Sequence, residues 1–159
     1  FMVMKLDIKK LFKNLAIPLL IGIIAGFLTR QGTENFALNV KQPPFAPPAV
    51  LFPIIWTFLY ALMGFSAYII ESSPQTPQRN RALVLYYIQL FFNFLWSFIF
   101  FNFNNYLAAF VWIVALLILI IATTIEFYKI KPVAAYLMIP YILWVAFAAV
   151  LNSSIYLLN

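Results

Sequence analysis

Neither cysteine nor histidine occurs anywhere in the sequence. Their absence removes disulfides, thiolate nucleophiles, Cys or His metal sites and the usual axial ligands of haem iron. Charge is scarce as well: Asp, Glu, Lys and Arg make up 9% of the 159 residues, and only four are acidic. Those four, Asp7, Glu34, Glu71 and Glu126, fall in loops or at expected helix ends, and no Lys or Arg lies in the middle of a hydrophobic run. General acid–base catalysis, a proton relay, a Ser–His triad and a Ser–Lys pair all lack parts at membrane depth. Ion conduction lacks its charged rings or carbonyl filter.

What fills the chain instead is hydrophobic side chain, 65% against about 45–50% in a soluble domain. A spanning helix takes roughly 20 apolar residues. Five such spans with short loops nearly exhaust the length, so the fold class is an all-α integral membrane bundle of five transmembrane helices in one domain. The spans are expected at about 15–29, 49–70, 81–103, 106–127 and 132–158. Pro47 and Pro48 sit where a helix start tolerates them, Asn102, Asn104 and Asn105 break the third span, and Pro132 opens the fifth. The longest connection, 30–48, holds Pro43, Pro44, Pro47 and Pro48 with Phe36 and Phe45, and reads as a stiff lid rather than disordered chain.

Eight of the ten Lys and Arg fall on the side of the N-terminus, the second loop and the fourth loop, leaving Arg30 and Lys41 on the other. The positive-inside rule then puts the N-terminus in the cytoplasm and the lid outside. The same placement at helix ends explains the +6 net charge better than a nucleic-acid surface does. Basic residues before a short apolar run also describe a signal peptide, but no clear A-x-A cleavage pattern follows, and removal would take away one wall of the bundle. Phe1 ahead of Met2 reads as an appended residue. Gly22 and Gly26 form a G-x-x-x-G, which suits either a dimer face or close packing inside one bundle.

Lipid offers no hydrogen bonds, so polar side chains within spans turn inward. Trp56, Tyr60 and Gly64 share one helix face at four-residue spacing. Gln89, Asn93 and Ser97 do the same in the third span, with Tyr86 and Trp96 beside them. An unpaired amide in hydrocarbon costs about 4–8 kcal/mol, whereas an interhelical hydrogen bond contributes only about 0.6–2 kcal/mol. That asymmetry sets the direction of the stripe and leaves open whether it binds a ligand or neighbouring helices. In the fifth span Pro140, Trp144, Ala148 and Asn152 repeat every four residues, with Phe147 adjacent. Pro140 is expected to kink that helix, and small Ala148 beside Trp144 leaves room for a ligand or for another helix. An aromatic, weakly polar cavity of this kind suits a flat apolar molecule, a planar macrocycle or something sterol-like.

Four blocks in order carry a family resemblance: QPPFAPP at 42–48, FPIIWTFLYALMG at 52–64, QLFFNFLWS at 89–97 and PYILWVAFAAVLN at 140–152. Over nearly all the chain after the first span, the sequence resembles the translocator proteins, also called tryptophan-rich sensory proteins (TspO) or peripheral benzodiazepine receptors. The resemblance implies a five-helix bundle, often a homodimer, that binds porphyrins and isoquinoline or benzodiazepine ligands beneath the first loop. No covalently bound cofactor is implied; porphyrin is a ligand. Trp56 and Trp144 look like the family's pocket tryptophans, Asn93 like its pocket amide and Ala148 like the small residue that leaves ligand space. Pro43 and Phe45 match the lid motif, with Phe45 where Trp is usual; Phe36 likewise replaces a usual Trp, and Ala37 a frequent Tyr. Phenylalanine stacks but cannot donate a hydrogen bond. Leu151 and Tyr156 match part of the family's cholesterol motif, but 157–159 supply no base, so sterol binding is discounted. Two other activities attach to such proteins: porphyrin transport, and light- and oxygen-dependent porphyrin degradation, in which Trp56 and Trp144 would take part. The bilayer expected is a bacterial plasma membrane.

Overall fold

A computed structural model describes residues 6–159, so Phe1, Met2 and Lys5 lie outside the described residues. Six α-helices follow in order: α1 Ile8–Leu28, α2 Arg30–Asn39, α3 Leu51–Glu71, α4 Pro77–Ser97, α5 Tyr106–Ile130 and α6 Pro132–Leu158. A π-helical turn, Phe98–Asn102, extends α4. Five of these helices, with the π turn counted into the third, are long and apolar enough to cross a membrane.

Local chemistry sets most of the helix ends. The Asp7 carboxylate accepts from the Lys10 amide and starts α1 seven residues before the apolar run that begins at Leu15. Thr76 and Asn105 cap α4 and α5 in the same way, accepting from the Arg79 and Ala108 amides. Pro77 and Pro132 sit at helix starts, where no amide donor is needed. The π turn ends with the Phe103 amide bonded to the Phe98 carbonyl at 2.9 Å. Asn104 then takes φ of 52°, a left-handed conformation that asparagine tolerates better than most side chains. Despite Pro140 within it, α6 stays helical from end to end.

The spans pack as a ring in the order α1, α3, α6, α5, α4. Contacts between α4 and its neighbours α1 and α3 are sparse, so the ring closes loosely on that side. Two glycines let α1 lie tight on α3. A Cβ at Gly64 would stand 2.6 Å from the Asn14 carbonyl oxygen and 2.9 Å from the Leu15 Cα. A Cβ at Gly22 would stand 2.6 Å from the Tyr60 ring. The same end is tied by polar contacts: Lys13 Nζ donates to Glu71 at 2.6 Å, Asn14 Nδ2 to Glu71 at 3.0 Å, and the Asp7 amide to the Tyr68 hydroxyl at 2.9 Å.

The connection 30–48 departs from expectation. Its first half is the helix α2, and only residues 40–50 are irregular. Nothing in RQGTENFALN forms an apolar stripe, and a ten-residue helix is marginal alone. Tertiary contacts hold it. A Cβ at Gly32 would run into the Phe101 backbone carbonyl, so α2 lies directly on the π turn. Phe36 packs on Phe100 and Phe101 with ring centroids 5.2 and 5.5 Å away.

Candidate functional site

Three aromatic faces meet beneath α2. On α3, Trp56 stacks on Tyr60 at 5.5 Å and meets Tyr141 edge-on at 6.3 Å. On α6, Trp144 packs between Phe52 and Phe147 at 5.7 and 5.4 Å. On α4 and its π turn, Trp96 stacks on Phe100 at 4.9 Å. Between them lies a cavity of about 500 Å³. Trp56, Tyr60, Asn93, Trp96, Trp144 and Ala148 line it, with Phe36 reaching down from α2. Neither indole, at 56 or at 144, turns to the outside of the bundle.

The floor is a hydrogen-bonded chain across three helices. Tyr60 Oη donates to Asn93 Oδ1 at 2.7 Å, Asn93 Nδ2 donates to Tyr141 Oη at 2.8 Å, and Tyr141 Oη donates to Gln89 Oε1 at 2.6 Å. This chain ties α3 to α4, which touch little along their length, as does the Arg79 guanidinium donating to the Glu71 carbonyl at 2.7 Å. Asn93 therefore does both jobs weighed for the amide stripe: it bonds its neighbours and lines the cavity, keeping one N–H and one lone pair uncommitted. Gln89, one turn deeper, is fully buried below the floor and donates only to Met63 Sδ at 3.9 Å.

Four expected site residues, Pro43, Phe45, Gln89 and Phe147, do not line the cavity. Gln89 is spent in the floor, as above. Pro43 is buried in the turn after α2, its carbonyl accepting from the Ala46 amide. Phe45 is 49% exposed and meets Phe147 edge-on at 6.3 Å, so this pair buttresses the outside of the Trp144 wall. Gly64 likewise opens no gap beside Trp56; it admits the α1 backbone.

Other lining residues were not expected. α1 contributes Leu19, Gly22, Ile23, Gly26 and Phe27, so both glycines of its G-x-x-x-G line the cavity. Ile113 and Leu116 of α5 close the back. Phe52 and Pro53 could have been found, since they fall one turn before Trp56 on α3, and Thr57 follows one turn after Pro53. For Ile113 and Leu116 no signal existed, because α5 is apolar on every face from Leu107 to Ala122.

Few polar groups face this space uncommitted. Thr29, Thr33 and Thr57 each donate to a carbonyl of their own helix or the preceding turn. The Trp96 indole N–H donates to Asn152 Oδ1 at 3.2 Å. The Trp144 indole N–H is buried with no acceptor in the protein, a rare state for such a group. Among the described residues no cluster of acidic side chains suits a metal.

A family profile described as the TspO/MBR family matches residues 14–158. The tryptophan-rich protein TspO of Archaeoglobus fulgidus is 39% identical over 155 residues, covering 97% of this chain and 99% of that protein. The tryptophan-rich protein TspO of Chlorobaculum tepidum is 34% identical, covering 89% and 90% of the two chains. The bovine translocator protein is 31% identical over 138 residues, covering 86% and 82%. With its five spans and near full-length similarity to these proteins, the chain is an integral membrane protein that belongs to the TspO/MBR family.

Proposed function

We propose that the protein is a membrane receptor or sensor that binds a tetrapyrrole such as protoporphyrin IX, or a flat isoquinoline- or benzodiazepine-type molecule, in the cavity under α2. The observation that carries this reading is the aromatic enclosure itself. A space of about 500 Å³ is walled by Trp56, Trp96, Trp144, Phe36, Phe52 and Phe100. Its size lies within the roughly 300–1,000 Å³ range of small-molecule sites. Flat faces reward a planar ligand, since ring pairs contribute about 0.5–1.5 kcal/mol each beyond the area they bury.

Titration of intrinsic tryptophan fluorescence with protoporphyrin IX in detergent or nanodiscs tests the reading. Saturable quenching is expected, weakened about tenfold or more in Trp56→Ala and Trp144→Ala. Trp144→Phe, which keeps a ring and loses the donor, is expected between wild type and Trp144→Ala. Wild-type affinity in both alanine variants would overturn the assignment.

The orientation proposed is N-terminus in the cytoplasm. Lys9, Lys10 and Lys13, Arg79 and Arg81, and Lys129 and Lys131 gather at the end where α1 begins, against Arg30 and Lys41 at the α2 end. Single cysteines at Lys9 and Lys41 in intact cells test this. Labelling by an impermeant thiol reagent is expected at position 41 alone.

A further inference from the structure

Among the described residues, the exposed lining of the cavity falls on α1, α2, the connection after it and α3. Among its lining residues the exposed ones are Ile23, Gly26 and Phe27 of α1, Thr33 and Ala37 of α2, Gln42 and Ala49 of the connection, and Pro53 and Thr57 of α3. No lining residue from α4, α5 or α6 is exposed. These positions frame a window between α1 and α3, arched over by α2.

The geometry of the two α1 glycines shows where the window starts. At Gly22 a Cβ would strike the Tyr60 ring, whereas at Gly26, one turn on, it would meet nothing within 4 Å. The helices are in contact at the first and have parted at the second. Pro53 and Thr57 on the facing edge are one turn apart, so that edge of the opening is about 6 Å tall, enough for a flat ring system edge-on. Its sides are apolar: Ile23 is 66% exposed and Phe27 62%. The Thr57 hydroxyl is occupied by the Pro53 carbonyl at 2.7 Å. These two edges offer water few partners; the other exposed polar side chains of the opening, Thr33 and Gln42, lie on the arch side.

The arch above is fastened. Gly32 seats α2 on the π turn and Phe36 is wedged against Phe100 and Phe101. Further along, Lys41 and Asn159 make a reciprocal amide clasp: the Lys41 amide donates to Asn159 Oδ1 at 3.1 Å, and Asn159 Nδ2 donates to the Lys41 carbonyl at 2.9 Å.

We infer that the cavity is loaded sideways from the acyl chains of the leaflet on the α2 side, through the Gly26–Thr57 window, while the clasped arch shuts out the aqueous route. The ligand class is thereby narrowed to molecules that dissolve in the bilayer. This rests on the cavity being a ligand site, as proposed above, but its test needs no porphyrin.

The protein has no cysteine, so Ala148→Cys places a lone thiol inside the cavity. In liposomes, an alkyl maleimide that partitions into lipid is expected to modify it about tenfold or more faster than a sulfonated maleimide of equal thiol reactivity. Gly26→Phe and, on the opposite edge, Thr57→Phe should each slow the alkyl reagent by a similar factor. Asn159→Ala, which opens the clasp, should leave that reagent's rate as it was. Equal rates for the two reagents overturn the inference, and the parent Ala148→Cys protein suffices for that comparison if a phenylalanine variant misfolds. So does an alkyl rate unmoved by both window variants. Protein that takes up the alkyl reagent from lipid yet binds no porphyrin loses the ligand assignment and keeps the window; protein that binds porphyrin but labels from water loses the window alone.

Discussion

The two ends of the α1–α3 seam are built from the same kinds of residue and behave oppositely. Where α1 begins, Gly64 admits the Asn14–Leu15 backbone, and Lys13, Asn14 and Glu71 tie the helices together. Three turns further on, Gly26 meets nothing and the helices stand apart. Glycine in a membrane helix is thus not a packing residue by itself. It permits close approach, and whether approach happens depends on the facing helix and on what else holds the pair. Here the residue on α3 that faces α1 changes from Gly64, which admits backbone, to Tyr60, whose ring stands against Gly22, and beyond that ring the helices part.

Substitutions along the seam can break this contrast. Gly64→Leu should do the most harm: even its Cβ collides with backbone, which cannot swing aside, and a loss of about 3 kcal/mol or more is expected in detergent unfolding. Asn93→Leu comes next. It severs the floor between α3, α4 and α6 and strips the Tyr60 hydroxyl of its acceptor, at a cost of about 1–3 kcal/mol by the same measurement. Gly26→Ala should do the reverse of Gly64→Leu, stabilising by up to about 1 kcal/mol through helix propensity because its methyl meets open space. A destabilisation there would mean that α1 and α3 close on one another at the window. Smallest of all is Glu71→Gln, expected to cost less than about 1 kcal/mol, since its Lys13 partner is half exposed and the pair is screened. Raising the salt concentration should shrink that difference further.

How far the sequence was readable varies by element. The five spans were legible because lipid demands long apolar runs with satisfied backbones, and Asn105 and Pro132 mark ends chemically, whereas α4 starts at Pro77, four residues ahead of the expected 81. The start of α1 was missed because Asp7 extends the helix into charged sequence that hydropathy discounts. α2 was missed because Gly32, Thr33 and Asn35 argue locally against a helix, and its support comes from Phe100 and Phe101, some 70 positions away. The inward turn of Trp56, Tyr60, Asn93 and Trp144 followed from four-residue spacing, and that of Trp96 from its place beside the Asn93 stripe. Gln89 shared that spacing and still fell below the cavity, because the stripe runs the length of α4 while the cavity occupies one end of it.

By its own pattern the sequence determined that this chain crosses a membrane five times, that its amides and indoles face inward, and to which family it belongs. Only the tertiary structure decided that α1 lines the cavity, that the amides bond first to tyrosines, and that the enclosure opens between α1 and α3. The physical reason is one of range. Hydropathy and helical periodicity are properties of a single segment, whereas a cavity and its mouth are set by the distances between segments, and those depend on side chains that meet across the bundle.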